Sequence, residues 1–91
     1  MIRVHPGRIL AREMEARKLT ANALSLKLRV PGNRISEIVA GRRGISPETA
    51  LRLGRYFGTG GELWIRLQAD FDLSQAQQQR GRIIRNEVTA A

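Results

Sequence analysis

Residues 20 to 45, TANALSLKLRVPGNRISEIVAGRRGI, hold two short apolar-periodic segments on either side of a break at Arg29, Val30 and Pro31. Leu24 and Leu28 stand four apart and share one helical face before the break; Ile35, Ile38 and Val39 turn inward after it. The second segment carries Asn33, Arg34 and Glu37 on its polar side and runs into Gly41-Arg42-Arg43-Gly44. Two such segments around one tight break make the pattern of a helix-turn-helix whose second helix suits a DNA groove.

The flanking sequence predicts three further helices and no strand, so the fold class is all-α. Pro6 suits a first helical position, and Ile9, Leu10 and Met14 give a helix over about 6–17 its apolar face. Thr20 is an N-cap candidate for the second helix. The third spans roughly 32–40, with Gly41 placed to end it. Ser46-Pro47-Glu48 supplies a capping hydroxyl, a proline at the first helical position and an acid in the first turn. The fourth helix then buries Ala50, Leu53 and Phe57, with Gly54 permitting a close approach on that side, and Gly58 ends it. Thr59 and Glu62 have capping-box spacing and open a fifth helix, whose Leu63, Trp64, Leu67 and Phe71 form a stripe for the core or a dimer contact. Beyond Leu73 apolar anchors thin out, so the helix is expected to fray near Gly81. The division is a domain over 1–80, with its helix-turn-helix core at about 20–41, and a loosely held tail over 81–91.

A chain of 91 residues makes one domain with one modest core, and oligomerisation would add stability. The net charge of +8, from 16 basic and 8 acidic residues, favours a polyanionic partner. Fourteen of the basic residues are Arg, which suits forked recognition of phosphate or guanine. The absence of Cys removes thiolate metal sites, disulfides and thiol chemistry. No apolar run nears the ~20 residues of a membrane span, and the N-terminus lacks a signal-peptide core, so a cytoplasmic location is the default.

Base reading needs side chains that reach base edges from a helix in the major groove. Asn33 can pair with adenine, Arg34 with guanine, and Glu37 can accept from cytosine; Ser36 is a weaker candidate. Arg42, Arg43 and Asn22, together with the amides opening the second helix, are candidates for phosphate. Each has a plainer role: Arg42-Arg43 as a solvated loop, Ser36 as a cap, and Arg52, Arg55 and Arg66 as solvated faces.

Nothing in the sequence assembles an enzyme or a metal or cofactor site. His5 is the only histidine and suits an N-terminal cap or the surface. Asp70 and Asp72 are two apart, hence on different helix faces, and make no paired-carboxylate site. Gly58-Thr59-Gly60-Gly61 lacks the lysine and preceding strand of a phosphate loop.

His5-Pro6-Gly7-Arg8-Ile9-Leu10, Ile35-Ser36-Glu37-Ile38, Gly41-Arg42-Arg43-Gly44-Ile45-Ser46, Thr49 to Leu53, Tyr56 to Thr59 and Leu63 to Gln68 follow one another in that order. Together they resemble HigA-type antitoxins of the Xre, or phage Cro/C1-like, helix-turn-helix family. The resemblance covers about residues 5–80. It implies a five-helix, lambda-repressor-like domain whose C-terminal helix dimerises. It further implies a palindromic operator in the chain's own operon and a partner, a HigB/RelE-like mRNA-cleaving toxin that the antitoxin neutralises. Family members usually carry Ala at Ser25, Gly at Arg29, Gln at Ala21 and Ser-Pro at Gly60-Gly61. For a toxin contact on a basic chain, Glu13, Glu15, Asp70 and Asp72 are the candidates. The alternatives are a stand-alone repressor of the same fold and a protein-binding inhibitor that no longer binds DNA.

Overall fold

The computed structural model describes residues 4–91. Its five helices are α1 (Pro6–Ala16), α2 (Ala21–Leu28), α3 (Arg34–Val39), α4 (Pro47–Phe57) and α5 (Gly61–Glu87). Three start signals act as the sequence implies. His5 Nδ1 accepts from the Gly7 amide at 2.9 Å, Thr20 Oγ1 from the Ala23 amide at 3.1 Å, and Ser46 Oγ from the Thr49 amide at 3.3 Å. Each satisfies an amide that has no partner inside its helix.

The helix ends depend on left-handed residues, two of which are not glycine. Lys18 (φ 54°) follows α1 and Arg29 (φ 58°) follows α2; Gly41 (φ 77°) closes α3. After each helix two amides turn back onto late carbonyls in the same way: Lys18 to Glu15 and Leu19 to Met14, Arg29 to Leu26 and Val30 to Ser25, Gly41 to Ile38 and Arg42 to Glu37. This paired closure satisfies carbonyls that would otherwise be orphaned.

One core joins all five helices, built from Leu10, Met14, Leu24, Leu28, Ile35, Ile38, Ile45, Ala50, Leu53 and Trp64. Val39 and Phe57 only pack against its edge. Two glycines permit the close approaches. A Cβ on Gly7 would lie 2.0 Å from the Ile38 carbonyl oxygen, so α1 rests directly on α3. A Cβ on Gly54 would lie 2.2 Å from the backbone of Gly60, where the chain turns into α5. Polar ties fix the rest: Gln68 Oε1 accepts from the Ile45 amide at 2.7 Å, and Arg52 Nη1 donates to the Leu28 carbonyl at 3.0 Å. The His5 ring meets Phe71 edge-on at 4.9 Å, and the Arg17 guanidinium lies over Phe57 at 4.8 Å.

Two expectations for α5 are corrected. Its start is no capping box: Gly60 precedes the helix without a side-chain cap, and the Thr59 hydroxyl instead accepts from Trp64 Nε1 at 3.0 Å. The buried indole N–H needs an acceptor, and Thr59 is within its reach. Nor does the helix fray near Gly81; it continues to Glu87, so only 88–91 of the expected tail lie outside it. The flanking Gln and Arg residues are good helix formers, and one glycine costs only about 1 kcal/mol against them. At 1.5 Å per residue α5 is roughly 40 Å long, which gives the chain its 48 × 22 × 22 Å outline.

Candidate nucleic-acid interface

The α2–turn–α3 unit presents a short polar face. α3 has only six residues, and Ile35 and Ile38 are spent on the core. Its outward side chains are therefore few. Asn33 sits just before the helix, exposed, with no cap bond from its side chain, so its amide is available. Ser36 is exposed and donates to the Asn33 carbonyl at 3.0 Å. Arg42 is exposed where the chain leaves α3. Asn22 is exposed in the first turn of α2, beside a helix start where Thr20 has satisfied one amide.

Two candidates sit differently from a free reader. Arg34 folds back onto α4: its Nη1 donates to Thr49 Oγ1 at 3.2 Å, and its Nε is buried with no acceptor. Reaching a base means leaving Thr49, at a cost of roughly one hydrogen bond, about 1 kcal/mol. Glu37 and Arg43, assigned by sequence to base and phosphate, form one ion pair, with Arg43 Nε 2.9 Å from Glu37 Oε1. The left-handed turn at Gly41 brings Arg43 back over α3, and a separation of six residues gives no hint of this. The pair offsets the one acid on this face, whose bare charge phosphates would repel.

The other candidates scatter. Trp64 is 0 % exposed and belongs wholly to its own core, whereas Leu63 is 41 % exposed. Leu67 and Phe71 lie half-buried between them in character. Glu13 pairs with Arg17, and Asp72 accepts from Gln68 Nε2 at 2.9 Å; Glu15 and Asp70 are exposed. Sequence reasoning took Arg52 as a solvated residue and missed its tie to the end of α2. No helix among the described residues is long and apolar enough to cross a membrane. Nor do the described residues group three or more His, Cys, Asp or Glu side chains as a metal site would.

A family model described as a helix-turn-helix domain matches residues 7–67. A solved structure of an addiction module antidote protein of the HigA family from Coxiella burnetii is 42% identical, covers 100% of both chains and superposes with a TM-score of 0.95. The chain is a helix-turn-helix protein of the HigA family. A second solved structure, the Pseudomonas aeruginosa antitoxin HigA with the higBA promoter, is 37% identical over 94% of this chain and 95% of that one, with a TM-score of 0.92. Among curated proteins, virulence-associated protein I of Dichelobacter nodosus is 45% identical over 78 residues, 85% of this chain and 72% of its own.

Proposed function

We propose that this HigA-family chain is the antitoxin of a type II toxin–antitoxin pair and represses its own operon. The observation that carries the reading is the pairing of an exposed Asn33–Ser36–Arg42 face on a chain of net charge +8 with a full-length likeness to HigA antitoxins, one of them solved with promoter DNA. Two copies dimerise and set their α3 helices into successive major grooves, about 34 Å apart, on a palindromic operator. Asn33 and Ser36 read base edges, with Arg34 joining them once it leaves Thr49. Arg42, Asn22 and the amides opening α2 hold phosphates and fix the register. Glu37 accepts from a cytosine only if Arg43 lets go to a phosphate, so the pair acts as one exchangeable unit. Dimerisation draws on Leu63 and the apolar side of α5.

The partner is a HigB/RelE-like mRNA-cleaving toxin, which this chain neutralises by binding; the chain itself is cytoplasmic, carries no cofactor and catalyses nothing. Glu13, Glu15, Asp70 and Asp72 are the acids offered to that toxin. Co-expression tests the pairing. A small reading frame beside this gene should encode the toxin: expressed alone it should arrest growth, and this chain should relieve the arrest and co-purify with its product. Growth arrest that this chain does not relieve, or no arrest at all, would leave a stand-alone repressor of the same fold.

A further inference from the structure

The end of α2 and the outer side of α4 enclose a groove of about 450 Å³ that none of the DNA-facing candidates lines. Four cations surround it, Lys27, Arg29, Arg52 and Arg55, against a single acid, Glu48. Its apolar part comes from Leu28, Leu51 and Tyr56, and Leu51 stands 65 % exposed. We propose that this groove docks an acidic amphipathic segment of a partner protein, a contact beyond operator binding and separate from the four acids offered to the toxin.

Three features support that occupant. Arg52 is only partly used: Nη1 holds the Leu28 carbonyl, its buried Nε has no hydrogen-bond acceptor, and its ion pair with Glu48 is long, at 3.9 Å. A carboxylate placed in the groove would add a second counter-charge to the guanidinium. Arg29 keeps a long cationic side chain at φ 58°, where glycine would sit without strain. A groove with an aliphatic and aromatic floor also suits a peptide better than a phosphate backbone, which has no apolar group to bury there. The recognised pattern is therefore an apolar anchor against Leu51 and Tyr56, flanked by carboxylates that meet Arg29, Arg52, Arg55 and Lys27.

The test is an NMR titration of the isotope-labelled full-length chain with a short helical peptide whose leucine face is flanked by glutamates. Its glutamine analogue serves as the comparison. Amides of residues 27–29 and 48–56 should shift, and the analogue should bind about tenfold more weakly. Raising the salt concentration should narrow that gap. Lys27→Glu combined with Arg55→Glu should weaken the peptide about tenfold or more, while affinity for the chain's own upstream DNA falls by a clearly smaller factor that follows the loss of net charge. Glu48→Gln, which removes the groove's one acid, should tighten it severalfold. Shifts centred elsewhere, equal binding of the analogue, or no tightening by Glu48→Gln would each overturn the proposal. So would charge reversals that weaken DNA as much as peptide, because the groove would then be a phosphate surface. Should the double reversal not fold, Glu48→Gln and Leu51→Ala carry the test, with Leu51→Ala expected to weaken the peptide severalfold and unchanged binding counting against the proposal.

Discussion

Arg29→Gly should stabilise the protein. The residue that ends α2 has φ 58° and ψ 47°, a conformation in which a Cβ crowds the following carbonyl. That crowding costs a non-glycine residue about 1–2 kcal/mol. The mutation keeps the turn, because its bonds are made by backbone: the Arg29 amide to the Leu26 carbonyl at 3.3 Å and the Val30 amide to the Ser25 carbonyl at 3.1 Å. The Arg29 side chain is exposed and makes no hydrogen bond or ion pair among the described residues, so its removal forfeits little. Against the relief stands the extra freedom that glycine gives the unfolded chain, about 0.4–1 kcal/mol. The net gain is of order 0.5–1 kcal/mol, or a few degrees in Tm for a domain of this size. Thermal unfolding followed by circular dichroism at one fixed protein concentration reads it, since any dimer makes Tm concentration-dependent. Gly41→Ala, at φ 77°, should shift Tm the other way by a similar amount. If Arg29→Gly lowers Tm, or leaves it unchanged while Gly41→Ala lowers it, the strain assigned to Arg29 is wrong.

Gly7→Ala puts a methyl group 2.0 Å from the Ile38 carbonyl oxygen and should cost about 1–3 kcal/mol or more in urea unfolding, as α1 is pushed off α3. Thr59→Ala takes the acceptor from a fully buried Trp64 indole and should cost about 1–3 kcal/mol, with a change in tryptophan fluorescence. Arg43→Ala breaks only a partly exposed pair with Glu37, so stability should change by less than about 1 kcal/mol in the same urea assay. Asn33→Ala should reduce the preference for one base pair by about 1–3 kcal/mol, whereas Arg42→Ala should weaken all sequences alike and lower the salt slope by about one, both read by anisotropy titration on single-site operator variants.

Much of this fold was legible in the sequence because its signals are local. Thr20 and Ser46 cap the helices they announce, Pro47 opens α4, and the three- and four-residue spacings of Leu24, Leu28, Ile35 and Ile38 give the buried faces. His5 illustrates elimination: with no second metal ligand at hand it reads as a cap or a surface residue, and it caps α1. The misses are non-local or depend on the chain tolerating what is usually avoided. Lys18 closes α1 in the left-handed region, where the usual stop signal is glycine. Thr59 has capping-box spacing, yet its hydroxyl is taken by an indole five residues on. Gly81 suggested fraying, but with helix formers on both sides the helix runs on to Glu87. At the candidate interface residue identity was readable and orientation was not. Nothing in the spacing of Arg34 and Thr49, or of Glu37 and Arg43, says that they meet.

If α3 reads base edges, the protein must prefer a specific operator over other DNA. Fluorescence anisotropy with a labelled duplex spanning this chain's own upstream region, against a shuffled duplex of equal composition at two salt concentrations, tests it most directly. The upstream duplex should bind at least about a thousandfold more tightly, and Asn33→Ala should erode this preference more than it erodes binding to the shuffled duplex. Equal affinities for both duplexes, falling together as salt rises, would mean that the basic charge alone holds the DNA and that α3 reads nothing.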